Sequence, residues 1–446
     1  MTSAHRLPAN ATPAALLADS RHRYARARPL GRAAFARAAR ALPGGNTRSV
    51  LHFPPFPLFA ARSEGCRVHD LDGHVAIDFV GEFTAGLCGH DDPTIRAAVE
   101  AALARGWVNG AQIEAEAQFA EALCARFPSL ERVRFCNSGT EANLMALTTA
   151  RVTTGRPAIM AFRGGYHGGV LLFKDGPSRQ NAPFPTVMAD YNDADGTRTL
   201  IAAHAAELAA IIVEPMLGSG GCIPADPAFL HMLRAESARH GIVLIFDEIM
   251  TSRLAPGGLQ EVHGVLPDLT TLGKYLGGGF PFGAFGGRAE ILDRYDPARP
   301  DALLHAGTFN NNPFTMNAGL ATVTQVYTPD RARALNASGE RLRARLQAVA
   351  DARGMPLRFS GVGSMIGLHV AAGPVARVSD PRDDAVAQDV KSLIHLELLQ
   401  RGIYVARRGM IVLSLPMTER EHDALAAALD AVLDESGPAL AAALGD

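Results

Sequence analysis

Between about residue 93 and residue 290 the apolar residues switch repeatedly between a helical period and short unbroken runs. PTIRAAVEAALARG, EAEAQFAEALCARF, GTEANLMALTTARVTTG, TLIAAHAAELA and AFLHMLRAESARHG read as helices, and PAIMAF, AIIVEP and IVLIFDE read as strands. A strand without polar alternation has to be covered on both faces, which a parallel sheet wrapped by helices achieves. The fold class expected is therefore α/β, with a mostly parallel sheet in one large domain. Acidic residues at the carboxyl ends of such strands face the crevice where open α/β sheets bind ligands, and two strands end that way, in Glu214 and in Asp247 with Glu248.

The flanks read differently. RVHDLDGHVAIDF alternates around an Asp-Gly turn and predicts a hairpin. Its D-x-D-G resembles the start of a calcium loop, but the later ligands are missing, so no metal site is expected. After about residue 320 come a long charged helix, strands near LRFSGVGSMIGLHVA, another helix, IYVARRGMIVLSLP and a final amphipathic helix, a smaller α+β domain. The division expected is 1–75 as an N-terminal segment serving the small domain and the substrate pocket, 76–320 as the large domain, and 321–446 as the small one. RHRYARARPLGRAAFARAAR, residues 21–40, is free of acidic residues as transit peptides are. Because Ala, Arg and Gly are abundant throughout, it is read instead as a mobile lead followed by one helix that stops at PGG.

Composition narrows the function. The 446 residues are 48% hydrophobic, enough for a substantial core, and 43 basic residues against 45 acidic ones leave a net charge of −2. No global field favours nucleic acid or an anionic membrane, so small-molecule chemistry is expected. The five cysteines are odd in number and scattered with no CxxC pair, which fits a reducing cytoplasm. No apolar run approaches the roughly 18 residues that span a bilayer.

In TTLGKYLGGGF a single lysine, Lys274, sits between an apolar strand and three glycines with no other charge nearby. Burying an ammonium there is costly unless the amine is neutral, and a neutral, desolvated lysine is what Schiff-base chemistry on a carbonyl needs. A lysine that snorkels out of a glycine-rich turn is the plainer alternative. Three other pieces bear on the choice. FCNSGTEANL sets Ser138, Gly139 and Thr140 at a helix start, either an ordinary N-cap or a phosphate cradle. FRGGYHGG sets Tyr166 and His167 in a glycine-flanked turn after a strand, a perch for an aromatic ring or a plain surface loop. Asp247 can cap the next helix or pair with a pyridine nitrogen. Together they supply what pyridoxal phosphate requires of a protein: a phosphate cradle, a ring platform, a carboxylate for the ring nitrogen and a lysine for the aldehyde.

NSGTEAN, GGYHGG, VEPM, FDEIMTSR, LGKYLGGGFPFGAFGG and HAGTFNNNP resemble, in order and spacing, the class III aminotransferases of pyridoxal-phosphate fold type I, from about residue 37 to about residue 430. PGGNTRSV, EFTAGLCGH, MTSRLAPGGL, TFNNN and RRGMIVLSLP look more like the β-phenylalanine aminotransferases than the related glutamate-1-semialdehyde aminomutases. The resemblance implies that Lys274 bonds the cofactor aldehyde and then shuttles a proton between substrate and cofactor carbons. It implies that Asp247 holds the pyridinium between Ile249 and Tyr166, with His167 nearby, that Ser138, Gly139 and Thr140 hold the phosphate, and that Glu214 supports the site from behind. Thr308 would reach the phosphate from the second subunit of a homodimer.

Amino acids and oxo acids both carry carboxylates, and an arginine fork pairs with these bidentately. Arg48 and Arg408 match the carboxylate hooks of the β-phenylalanine branch, with Met250 and Phe83 in the same pocket. Phe83 replaces a tyrosine of that branch. The function this implies is transfer of the amino group of a β-amino acid, aryl in character, to 2-oxoglutarate or pyruvate in two half-reactions. Glutamate-1-semialdehyde aminomutase and a broad ω-amine transaminase are the rivals. GVGSMIG faintly echoes a dinucleotide loop but leads into the strand-like LHVA, which speaks against an NAD enzyme. Lys274 and Asp247 together speak against a catalytically dead binding module.

Overall fold

The computed structural model describes residues 12–378 and 385–445. Seven strands make the central sheet: β1 Arg132–Cys136, β2 Ala158–Phe162, β3 Thr186–Ala189, β4 Leu208–Val213, β5 Val243–Asp247, β6 Leu269–Gly273 and β7 Gly283–Gly287. Their order across the sheet is β1-β7-β6-β5-β4-β2-β3. Only β7 runs antiparallel to its neighbours.

The unbroken apolar runs have the expected cause. Successive side chains of a strand point to opposite faces, and here both faces are covered. Met160, Phe162, Ile211, Val213, Leu244 and Phe246 enter one core, while Ile159, Ala161, Ala210, Ile212, Val243 and Ile245 enter the other. The two edge strands, β1 and β3, are the ones with partly exposed positions. Because β1, β2, β4, β5 and β6 run parallel, their carboxyl ends lie along one rim. The rim therefore gathers Ser138 after β1, Tyr166 and His167 after β2, Glu214 after β4, Asp247 ending β5 and Lys274 after β6.

The Asp-Gly hairpin is present: Arg67–Asp70 pairs antiparallel with Val75–Asp78. Ala60–Glu64 adds to one side of it, and Ile403–Tyr404, from the far end of the chain, adds in parallel to the other. Leu357–Val362, Met365–Val370 and Met410–Val412 form a separate antiparallel sheet beside the helices Pro329–Ala352, Ala385–Gln400 and Glu419–Gly445. GVGSMIG is the end of one strand, the turn at Gly363 and Ser364, and the start of the next strand.

The N-terminal helix expected over residues 21–40 is two helices, Pro13–Ala27 and Pro29–Ala38, split at Arg28. Pro29 cannot donate a backbone hydrogen bond, and Asp72 accepts from Leu30 N at 2.8 Å and Gly31 N at 2.9 Å, capping the second helix. Arg28 is buried, pairing with Asp70 at 2.8 Å and lying over the Tyr24 ring. The cap comes from a hairpin forty residues downstream, so local sequence could not announce it. The lead before Thr12 lies outside the described residues.

Candidate active site

The helix Gly139–Thr154 starts where β1 ends, with Ser138 as N-cap; Ser138 Oγ accepts from Glu141 N at 3.1 Å. The first amides of a helix have no partner within it and carry partial positive charge. Gly139 is required here by a close approach: a Cβ at this position would stand 2.5 Å from Ile249 Cδ1. Gly168 has φ of 126°, and a Cβ there would meet Thr140 Oγ1 at 2.3 Å. The two glycines thus let Ile249 and Thr140 pack directly against the backbone beside the helix start, where the Thr140 hydroxyl accepts from Gly169 N at 3.2 Å.

Asp247 ends β5 in a buried polar node. Its Oδ2 lies 2.7 Å from His167 Nδ1 and accepts from Asn143 Nδ2 at 2.8 Å, while Oδ1 accepts from Ile249 N at 3.1 Å. Asn143 Nδ2 also donates to His167 O at 2.9 Å, and its Oδ1 accepts from Thr271 Oγ1 at 2.7 Å. His167 is therefore not a ring on a surface loop; it is buried behind Asp247. Asn143 and Thr271 were not expected from the sequence. A signal existed, since an asparagine on the buried face of a helix is a poor helix former and needs a polar partner.

Glu214, also buried, accepts from Tyr166 N at 3.0 Å and Gly218 N at 2.9 Å. Burial pushes its carboxyl up to about 7, with His167 opposing and Asp247 adding to the rise. Tyr166 itself remains partly exposed toward the cavity.

Lys274 follows β6 with φ of 59°, a left-handed conformation unusual for a residue with a side chain. Such strain survives where the surroundings fix it, and functional sites are where it collects. Burial first, then the charges of Arg408 and Arg48, push its ammonium down from 10.5 to about 8, against the opposing pull of Asp247 and Glu214. The amine is thus far easier to deprotonate than an ordinary lysine, the direction that the chemistry inferred from TTLGKYLGGGF requires.

One cavity of about 600 Å³ is lined by Lys274, Asp247, Ile249, Met250, Glu214, Tyr166, His167, Ser138, Gly139, Thr140 and Arg48. Phe83 and Arg408 stand outside this lining as a stacked pair, with the guanidinium 4.7 Å from the ring centroid. Arg408 donates to Ser219 Oγ at 3.1 Å, and its Nε has no hydrogen-bond partner among the described residues. Its neighbour Arg407 is exposed, which separates the two adjacent arginines. Arg48 is exposed and ion-paired with Glu82, a residue the sequence did not single out. Thr308 is not in this cavity; it lines a separate cleft with Trp107, Val108 and Phe309.

A buried lysine with a lowered pKa, a buried carboxylate held by three donors, an aromatic face and a helix N-terminus at the cavity wall suit an aldehyde-bearing, phosphorylated pyridine. The chain is a pyridoxal-phosphate-dependent enzyme of fold type I. It belongs to the class-III aminotransferase family, which it matches over residues 51–433, and is a transaminase. It is 47% identical to a β-phenylalanine transaminase of Variovorax paradoxus over 424 residues, covering 95% of this chain and 97% of that protein. The crystal structure of a β-phenylalanine aminotransferase from Variovorax paradoxus superposes with a TM-score of 0.93 at 46% identity, covering 96% of this chain and 98% of that one. A glutamate-1-semialdehyde 2,1-aminomutase of Sorangium cellulosum is 40% identical over 396 residues, covering 84% of this chain and 89% of that protein.

Proposed function

We propose that the enzyme moves the amino group of a β-amino acid with an aryl side chain, such as β-phenylalanine, to 2-oxoglutarate or pyruvate. The observation that carries this reading is the pair of cations from separate parts of the chain: Arg48 on the wall of the Lys274 cavity, and Arg408 stacked on Phe83 beyond that wall. Two carboxylate sites suit a donor acid and an acceptor acid that use the same cavity in turn. The relationship to the Variovorax paradoxus β-phenylalanine transaminase supports the choice of donor.

Pyridoxal phosphate, when bound, supplies an aldehyde that takes the amine and a ring that draws electrons from the substrate carbon. Lys274 Nζ, neutral above about pH 8, would be the group that holds the aldehyde and, once released, would carry the proton to and from the substrate carbon. Asp247 holds the proton on the ring nitrogen, and His167 with Asn143 fixes the carboxylate that does so. Ile249 and Tyr166, both on the cavity wall, would hold the ring. Ser138, Gly139 and Thr140 hold the phosphate through the helix start. Glu214 acts from behind by anchoring the backbone of Tyr166. Met250 and Phe83 shape the space for the aryl group.

On the same reading Thr308 serves the site of a second copy, in a homodimer. Its cleft, together with the exposed Trp107, Val108 and Phe309, offers the apolar surface that a partner would cover. The division at residues 75 and 320 is part of this reading; the N-terminal hairpin joins Ile403–Tyr404 of the C-terminal region through its second strand, Val75–Asp78, which runs across the first of these bounds. Five free thiols support a reducing, cytoplasmic setting. Among the described residues no helix is long and apolar enough to cross a membrane.

The decisive experiment adds (S)-β-phenylalanine to holoenzyme without an oxo acid and follows the visible absorption of the bound cofactor. Loss of the band and its return with 2-oxoglutarate are expected. A band that ignores β-phenylalanine but responds to glutamate-1-semialdehyde would replace this reading with the aminomutase. Equal turnover of amines without a carboxylate would favour a broad ω-amine transaminase.

A further inference from the structure

The turn Gly81–Thr84 is strained backbone beside the cavity, and the scheme above makes no use of its first side chain. Gly81, Glu82, Phe83 and Thr84 have φ of 51°, 51°, 51° and 83°. Three of these residues carry a Cβ that the left-handed region crowds. The surroundings enforce it. Asp78 Oδ1 accepts from Val80 N at 2.8 Å and Gly81 N at 3.0 Å, and Val412 N donates to Phe79 O at 2.8 Å. The fully buried Arg253 donates to Thr84 O at 3.5 Å, to Ser364 Oγ at 3.1 Å and to Leu413 O.

The turn sends two consecutive side chains to two different cations. Glu82 Oε1 accepts from Arg48 Nη1, and the Phe83 ring lies against Arg408. Arg408 thus has a π face and no carboxylate, whereas Arg48 has a carboxylate of its own.

We propose that Glu82 is a specificity-determining residue, the resident counter-ion of Arg48 that stands in for a substrate carboxylate and exchanges with it. This rests on Arg48 being a carboxylate hook. The side chains of Arg48 and Glu82 are 41% and 54% exposed, so water screens the pair and its hold is weak. A substrate carboxylate that meets the guanidinium bidentately inside the cavity binds more strongly. Glu82 also lines a second cleft that shares Ala85, Gly279 and Phe280 with the Lys274 cavity, which gives the displaced carboxylate a solvated place to go. The consequence is a pocket with no bare cation at Arg48 when the occupant lacks a carboxylate, at the cost of some affinity when it has one.

The test measures competitive inhibition of holoenzyme by 3-phenylpropionate and by the neutral 3-phenyl-1-propanol. In Glu82→Gln and Glu82→Gly the acid's inhibition constant should fall about threefold to fivefold, the range open to an exposed ion pair, with the alcohol's unchanged. Glu82→Asp should keep the wild-type values. The glycine variant suits a left-handed position, so it carries the test where the glutamine variant fails to fold. Equal shifts for acid and alcohol, or weaker binding of the acid, would overturn the proposal. Arg48→Gln separates the two claims. If it leaves the acid's constant unmoved, the hook reading fails; if it weakens the acid while the Glu82 variants do not strengthen it, only the counter-ion role fails.

Discussion

Asp247 and Arg48 line the same cavity, yet they are held in opposite ways. Asp247 is buried and meets His167, Asn143 and the amide of Ile249, with Thr271 fixing Asn143 from behind. Arg48 is exposed on a short loop and meets one exposed carboxylate from a strained turn. The first arrangement is costly to disturb, because a buried polar group that loses a partner forfeits about 1–3 kcal/mol. The second is cheap to rearrange, since an exposed ion pair contributes about 0–1 kcal/mol. A cofactor that stays bound for every turnover suits the rigid half. Two acids that alternate in one cavity suit the adjustable half.

The largest effect that would break this contrast lies at Lys274. Lys274→Ala should lower kcat by more than about 10³-fold with the fold retained, measured as β-phenylalanine turnover beside circular dichroism. A smaller loss would mean that the strained lysine is not the group that moves the proton. On the rigid side, Asp247→Asn should cost about 10²-fold or more in kcat, and Asn143→Ala should destabilise the protein by about 1.5–3 kcal/mol, read from denaturant unfolding. If Asn143→Ala were neutral, the hydrogen bonds of Asn143 would not be what holds the node.

The adjustable side should respond in affinity. Arg408→Gln should raise KM for β-phenylalanine by about tenfold to a hundredfold, and Arg48→Gln by less, since Glu82 already neutralises Arg48 in the resting protein. Steady-state kinetics with donor and acceptor varied separately would show which acid each cation serves. The reverse ranking would mean that the ion pair does not weaken the Arg48 site.

The smallest effect concerns pH. Lys274 has its ammonium lowered from 10.5 to about 8, so between those values the unfolded chain binds a proton that the folded, cofactor-free protein does not. The contribution of Lys274 to apo stability should therefore rise with pH across that window, while the buried thiols of Cys88, Cys136 and Cys222, pushed up from 9.0, act in the opposite sense, so the rise is read as the difference between wild type and Lys274→Met. Denaturant midpoints at pH 7.5, 9 and 10 would measure it.

The two halves were also unequally legible. Lys274, Asp247, Ser138, Gly139 and Thr140 sit at strand ends and at a helix start, places that apolar runs and capping residues mark in the sequence, and the structure brings them to one rim. His167 was visible as a residue, but its place behind Asp247 was not, because the contact joins the turn after β2 to the end of β5. Asn143 and Thr271 were missed for the same reason: the helix and the strand that bear them meet only when the sheet forms. Glu82 left no trace, since left-handed backbone outside glycine is imposed by Asp78 and Arg253 from elsewhere. Arg407 and Arg408 are alike as letters and differ only in which one the fold turns inward.

The sequence by itself determined a helix-wrapped parallel sheet, the lysine that must be desolvated and the carboxylate at the end of β5, because periodicity, capping and the cost of a buried charge act over a few neighbouring residues. Tertiary structure alone decided which groups hold Asp247, which arginine carries its own counter-ion and where the N-terminal helices break. Those outcomes rest on contacts between segments far apart in the chain, such as Arg48 with Glu82 and Asp72 with Leu30, and no local pattern encodes a partner that only folding brings near.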